Sequence, residues 1–156
     1  MPTAELSQFR FLGHRVESLR FDRQEGAAVD GEYHLNIRFD SDIVAESSFQ
    51  SAEGNGDDHE SGDLTETLVA LRIWLEWEPN PGPFGFEIKV IGRFQRHPEM
   101  PASAFLEFSR ISGPSVLFSH IRPFVRTLMI EAGEQFRLPL LNIRDSIRKL
   151  DQALDE

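Results

Sequence analysis

From Tyr33 to Asp40 every second residue is apolar: Tyr33, Leu35, Ile37 and Phe39 alternate with His34, Asn36, Arg38 and Asp40. A period of two puts one set on each side of an extended chain, so the run predicts a strand with one buried and one wet face. It can be followed to about Ser47. Phe9 to Phe21 alternates in the same way, with the phase disturbed around Gly13 as a bulge would disturb it. Leu64 to Trp77 carries Val69, Leu71, Ile73, Leu75 and Trp77 on one face and Glu66, Arg72, Trp74 and Glu76 on the other. Glu78–Phe84 holds three prolines and a glycine, so it must turn. Phe84, Phe86, Ile88, Val90 and Phe94 then resume the alternation, predicting a hairpin with the strand before.

After His97–Pro101 the period changes. Ala102 to Ile111 reads as a short helix burying Phe105, Leu106, Phe108 and Ile111. From Ser115 the spacing Val116/Leu117, Ile121, Phe124/Val125, Leu128/Met129 is helical, with Pro114 and Ser115 at the start and Gly133 at the end. Pro123 lies inside this helix and removes one backbone hydrogen bond, so a kink is expected there. Gln135 to Asn142 is an apolar extended stretch. Asn142 or Asp145 then opens a last helix with Ile143, Ile147, Leu150 and Leu154 on one side. Four antiparallel strands followed by helices predict an α+β fold: a four-stranded antiparallel sheet with C-terminal helices packed on one face. The 156 residues suit one domain, residues 1–156, and no internal repeat is present.

Charge changes the picture in one place. There are 16 Lys and Arg against 26 Asp and Glu, a formal net charge of −10. Nine of the acids fall between Arg38 and Arg72, an interval with no basic residue. Its centre, Gln50 to Asp63, is rich in Gly, Ser, Asn and Asp and reads as a mobile acidic loop, residues 50–63, either a dock for a basic partner or a solubilising segment. So acidic a chain argues against nucleic-acid partners and against adsorption to anionic lipid. There are no cysteines, which excludes disulfides, thiol catalysis and thiolate metal sites. No export signal and no apolar run of membrane length is visible, so a cytoplasmic protein is expected.

Candidate chemistry is sparse. The five histidines have no second ligand at metal-binding spacing on one helix face. No Gly-x-Ser-x-Gly, phosphate loop or dinucleotide fingerprint occurs. Nothing supplies a nucleophile or a base, so the chain is expected not to be an enzyme and to need no metal or cofactor. Hydrophobic residues are in surplus instead: Trp74 and Ile91 fall on polar strand faces, and Phe136, Leu138, Leu140 and Leu141 crowd one short stretch. Such a surplus marks either oligomer packing or a groove for a partner.

The string from Gly113-Pro114 through Ser115-Val116-Leu117-Phe118-Ser119-His120-Ile121-Arg122 resembles the helix-opening motif of the SecB export-chaperone family, Asn-Ile-Leu-Phe-Pro-Tyr-x-Arg. Leu117, Phe118 and Arg122 match. Ser119 and His120 stand where the family has Pro and Tyr, and Pro123 where it often has Glu. Gly133, Phe136, Leu138 to Leu141 and Ile143 onward follow the family's order. Phe84-Gly85-Phe86-Glu87-Ile88 resembles its fourth strand, Glu32 to Ile37 its second, and Leu64 to Glu76 its third.

The resemblance implies a divergent SecB-like domain that oligomerises through strand one and the long helix as a homotetramer, a dimer of dimers. It implies an ATP-independent holdase for protein transport and translocation, binding unfolded preprotein or a dedicated client such as an antitoxin and passing it to a SecA-type motor. The client groove implied here comprises Val29, Tyr33, Phe136, Leu138, Leu141 and Ile147. Val29 replaces a family Trp. Motor docking falls on Glu87 and Asp22. The alternative is a non-catalytic adaptor or structural oligomer that keeps the fold without holding clients.

Overall fold

The computed structural model describes residues 9–23, 32–48 and 64–155. Four strands, β1 (Phe9–Arg23), β2 (His34–Ser48), β3 (Leu64–Glu78) and β4 (Phe84–Arg96), precede three helices, α1 (Ala102–Ile111), α2 (Gly113–Glu131) and α3 (Ile143–Leu154). The strands form one sheet in the order β1-β4-β3-β2, with every pairing antiparallel. The β3–β4 hairpin is therefore the centre, and β1 and β2, neighbours in sequence, occupy opposite edges. The expected segment Gln50–Asp63 lies outside the described residues.

The period-two pattern decides which face is covered. Val69, Leu71, Ile73 and Leu75 of β3 and Phe84, Phe86, Ile88, Val90 and Phe94 of β4 are buried in one cluster. Phe105 and Ile111 of α1, Leu117, Phe118, Ile121, Val125 and Met129 of α2, and Ile143 and Ile147 of α3 close over them. Each such side chain, fully buried, contributes about 1.5–3 kcal/mol of transfer free energy. The edge strands give half-buried Phe9, Phe11 and Phe21 on one side and Leu35, Ile37, Phe39 and Ile43 on the other. Both edges contain register slips, at Phe11/Gly13 and Val16/Ser18 in β1 and at Ile43/Ala45 in β2.

Boundaries follow local chemistry. Helix α2 begins at Gly113, one residue before the expected start at Pro114 and Ser115, with proline in its first turn where no amide donor is missed. It runs on through Pro123 to Glu131. Its end is a Schellman motif: the Gly133 N–H donates to Ile130 O at 3.0 Å and the Glu134 N–H to Met129 O at 2.8 Å. Gly133 takes φ of 79°, a conformation that costs glycine little. Asn142 caps α3, its side chain accepting from the Asp145 N–H at 3.2 Å, so of the two candidate starts Asn142 is the one used. Ile143 and Ile147 anchor this helix, whereas Leu150 and Leu154, expected on the same side, are 62% and 84% exposed. No helix among the described residues is long and apolar enough to cross a membrane.

One polar contact is sealed in the core. Thr67 Oγ1 and Ser109 Oγ lie 2.8 Å apart, both residues buried, and tie β3 to α1. Removing one partner strands the other hydroxyl without water. Ser109→Ala is expected to cost about 1–3 kcal/mol, with most of that recovered in the Thr67→Val/Ser109→Ala double variant. Denaturant midpoints of the three proteins check this.

Candidate functional site

Two of the expected groove residues are joined by a row of rings across one end of the sheet. Tyr33 meets Trp77 edge-on at 6.0 Å, Trp77 meets Phe84 at 5.4 Å, and Phe84 meets Phe136 at 5.8 Å. Phe21 of β1 stacks on Phe84 at 5.5 Å, bringing the opposite edge strand into the same cluster. The indole N–H of Trp77 donates to Phe84 O at 2.7 Å and fixes the ring over the proline-rich turn. That turn must come very close. A Cβ at Gly82 would lie 2.1 Å from Trp77 Cγ and within 2.5 Å of two more ring atoms, so only glycine fits. Tyr33, Trp77 and Phe136 are each half-buried, leaving part of every ring in water. Trp77 and Phe84 were read from the sequence only as sheet core. Their place at the end of the apolar stripe, against the prolines, is the signal that marks them.

The other expected groove residues sit at different depths. Leu138 and Ile147 are buried, 4% and 8% exposed, and belong to the core cluster. Leu141 is half-buried against that cluster. Leu140 between them points outward at 81% exposure. Val29 lies outside the described residues. The stretch Gln135–Asn142, expected to be extended, belongs to no strand or helix and is held to α2 where the Arg122 guanidinium donates twice to Leu138 O at 3.3 Å. At its start, Arg23 at the end of β1 donates to Ala132 O and pairs with Glu134 at 3.1 Å.

A second apolar region runs along the free edge of β1. Val16, paired with Val90, and Leu19, paired with Ile88, point toward the helix side of the sheet yet remain exposed. Phe124 and the half-buried Leu128 lie on the flank of α2 that continues from His120, whose ring packs 4.5 Å from Phe11 of β1. The outer backbone edge of β1 has no strand partner among the described residues.

The face of the sheet away from the helices is laced with cross-strand ion pairs. Arg72 donates to both oxygens of Glu87, at 2.9 and 3.2 Å, and lies 3.6 Å from Asp40. Its guanidinium also covers Trp74 at 4.4 Å, which accounts for an aromatic residue on a polar face. Arg38 pairs with Glu76 at 3.0 Å, Arg93 with Glu66 at 2.8 Å, and Lys89 with Glu17 at 3.7 Å. Glu87 and Asp22, the two expected docking acids, are brought together here: Arg20 bonds Asp22 and adds its charge to Glu87. Ile91, the other apolar residue expected on this face, is nearly covered at 9% exposure.

No protein-family model matches the sequence, and no curated protein matches it either. Among solved structures, the chain is similar to the Mycobacterium tuberculosis SecB-like chaperone Rv1957, in complex with a ChAD peptide from the Rv1956 HigA1 antitoxin. The TM-score is 0.60 with 12% sequence identity, over 86% of this chain and 91% of that one. The chain has the SecB-like fold. At this identity the likeness speaks for the architecture, and the four-stranded antiparallel sheet with three following helices is what the two share. The SecB-like sheet here keeps Glu87 and Asp22 on its uncovered face and Tyr33 and Phe136 at its aromatic end.

The hydrogen bond from Arg72 holds the Glu87 carboxyl below the ordinary carboxylate range, partial burial opposes this, and the charges of Arg72 and Arg20 reinforce it. A lowered folded value means the pairing supports the fold at neutral pH and is lost as pH falls through that value. Both side chains are about one-third exposed, so solvent screens the contribution. Arg72→Ala is expected to raise the Glu87 titration toward the ordinary range, read by carboxyl-carbon NMR. An unchanged midpoint would show that Arg72 is not the cause.

Proposed function

We propose that this chain is a non-catalytic, ATP-independent holdase that keeps polypeptide clients unfolded. The observation that carries the reading is the row Tyr33–Trp77–Phe84–Phe136, in which three half-buried rings gather on the buried Phe84, running into the irregular apolar stretch Gln135–Asn142. Irregular backbone beside adaptable apolar side chains suits a ligand that varies in sequence. Weak contacts repeated along a long client add up to avidity. In this reading Tyr33, Phe136 and Leu141 touch the client, Leu138 and Ile147 support the groove from beneath, and Val29 completes it.

The protein works as a homo-oligomer, a dimer of dimers joined through β1 and α2. A 15-residue edge strand that exposes its own Val16 and Leu19, with exposed Phe124 of α2 nearby, invites a second copy to pair with it. A dedicated client is favoured over general export, because the similar mycobacterial chaperone is bound to a peptide of an antitoxin. A SecA-type motor would dock on the open sheet face at Glu87 and Asp22. The working location is the cytoplasm.

The test is suppression of aggregation of a chemically unfolded protein at stoichiometric amounts without nucleotide. The wild-type chain is expected to suppress it. Phe136→Glu should abolish the effect while far-UV circular dichroism stays unchanged, because the ring is half-exposed and outside the sealed core. Normal holding by that variant would move the groove elsewhere. Glu87→Lys is expected to weaken binding to a SecA-type motor at low salt, and unchanged affinity would remove Glu87 from the docking face.

A further inference from the structure

One side of α2 carries a concentration of positive charge that the holdase reading does not use. A cavity of about 560 Å³ between α2 and the extended stretch is lined by Arg122, Arg126, Ile130, Arg137 and Leu138, among others. An adjoining cavity of about 580 Å³ shares Arg126, Ile130 and Arg137 and reaches Phe136. The two form one groove, and its far end is the last ring of the aromatic row.

The arginines are not alike. Arg122 is occupied, donating to Leu138 O. Arg126 and Arg137 have no carboxylate and no hydrogen-bond acceptor among the described residues. Arg20, Arg23, Arg38, Arg72, Arg93 and Arg110, by contrast, each meet a carboxylate within 3.1 Å. Arg126 and Arg137 instead present two guanidinium groups to the same groove, in a chain whose net charge is −10. The nearest acid along the groove, Glu134, is already held by Arg23 at 3.1 Å.

We infer that this groove selects client segments in which acidic residues adjoin apolar ones. The apolar side chains lie against Ile130 and Phe136, and the carboxylates take paired N–H bonds from Arg126 and Arg137. Guanidinium groups match carboxylates in geometry as well as charge. A nucleic-acid ligand fits worse, because the remainder of so acidic a chain repels a phosphate backbone. The inference rests on the holdase reading and specifies which clients it favours.

The experiment measures binding of the full-length protein to three fluorescent peptides by anisotropy at low salt. The peptides share one apolar pattern and carry Glu, Gln or Lys at the intervening positions. The Glu peptide is expected to bind about tenfold more tightly than the Gln peptide, the sum of two charge-assisted contacts at a solvent-accessible site, and the Lys peptide most weakly. Arg126→Gln/Arg137→Gln should erase that order and Arg126→Glu/Arg137→Glu invert it. Both sites are exposed, and thermal melts of both variants report whether the fold is intact. Equal binding of the three peptides, or an unchanged order in the variants, overturns the inference and leaves the holdase reading standing. Failure of all three to bind, with no suppression of aggregation, overturns both.

Discussion

The molecule depends on one contact, the seating of α2 on the inner face of the β3–β4 hairpin. Leu71, Ile73, Ile88 and Val90 supply the sheet side and Leu117, Ile121 and Val125 the helix side, all without measurable exposure. Everything else hangs from it. The Schellman turn at Gly133 and the Arg122–Leu138 bonds direct the chain from α2 back toward the aromatic end. The Asn142 cap then places α3 so that Ile143 and Ile147 close the core. Because the hairpin is central, the core is built from the middle outward, and the sheet edges are left partly covered.

That incompleteness links fold and function. Here Val16, Leu19, Val44 and Phe124 remain exposed at or beside the edges, and Leu140, Leu150 and Leu154 stand clear on the C-terminal elements. The uncovered sheet face is the contrast: Arg72, Arg93, Arg38 and Lys89 each find an acid on a neighbouring strand. Polar matching on one face and apolar surplus at the edges and aromatic end divide the surface into a part suited to water and parts suited to polypeptide.

Much of this was legible from residue order. The period-two runs gave all four strands nearly to their ends, and the change to helical spacing after Pro101 gave three helices, α1 with its observed limits. Strand order required more than periodicity. The hairpin at Glu78–Phe84 announces itself through its prolines, but nothing local tells β1 to pair with β4. Tyr33 and Phe136 were nominated for the groove by the resemblance to the SecB family. Their link through Trp77 and Phe84 could not be read, because it depends on how the Gly82 turn folds over an indole. The same limit applied to the arginines. Arg126 and Arg137 are eleven positions apart on different elements, and α2's packing makes them neighbours.

The central claim is that the surfaces left open by one chain are meant for other chains, first a copy of itself and then a client. Solution mass by light scattering at micromolar concentration tests this most directly. The account predicts a closed assembly of about four chains. A single particle of 17.8 kDa, unchanged with concentration, would contradict it.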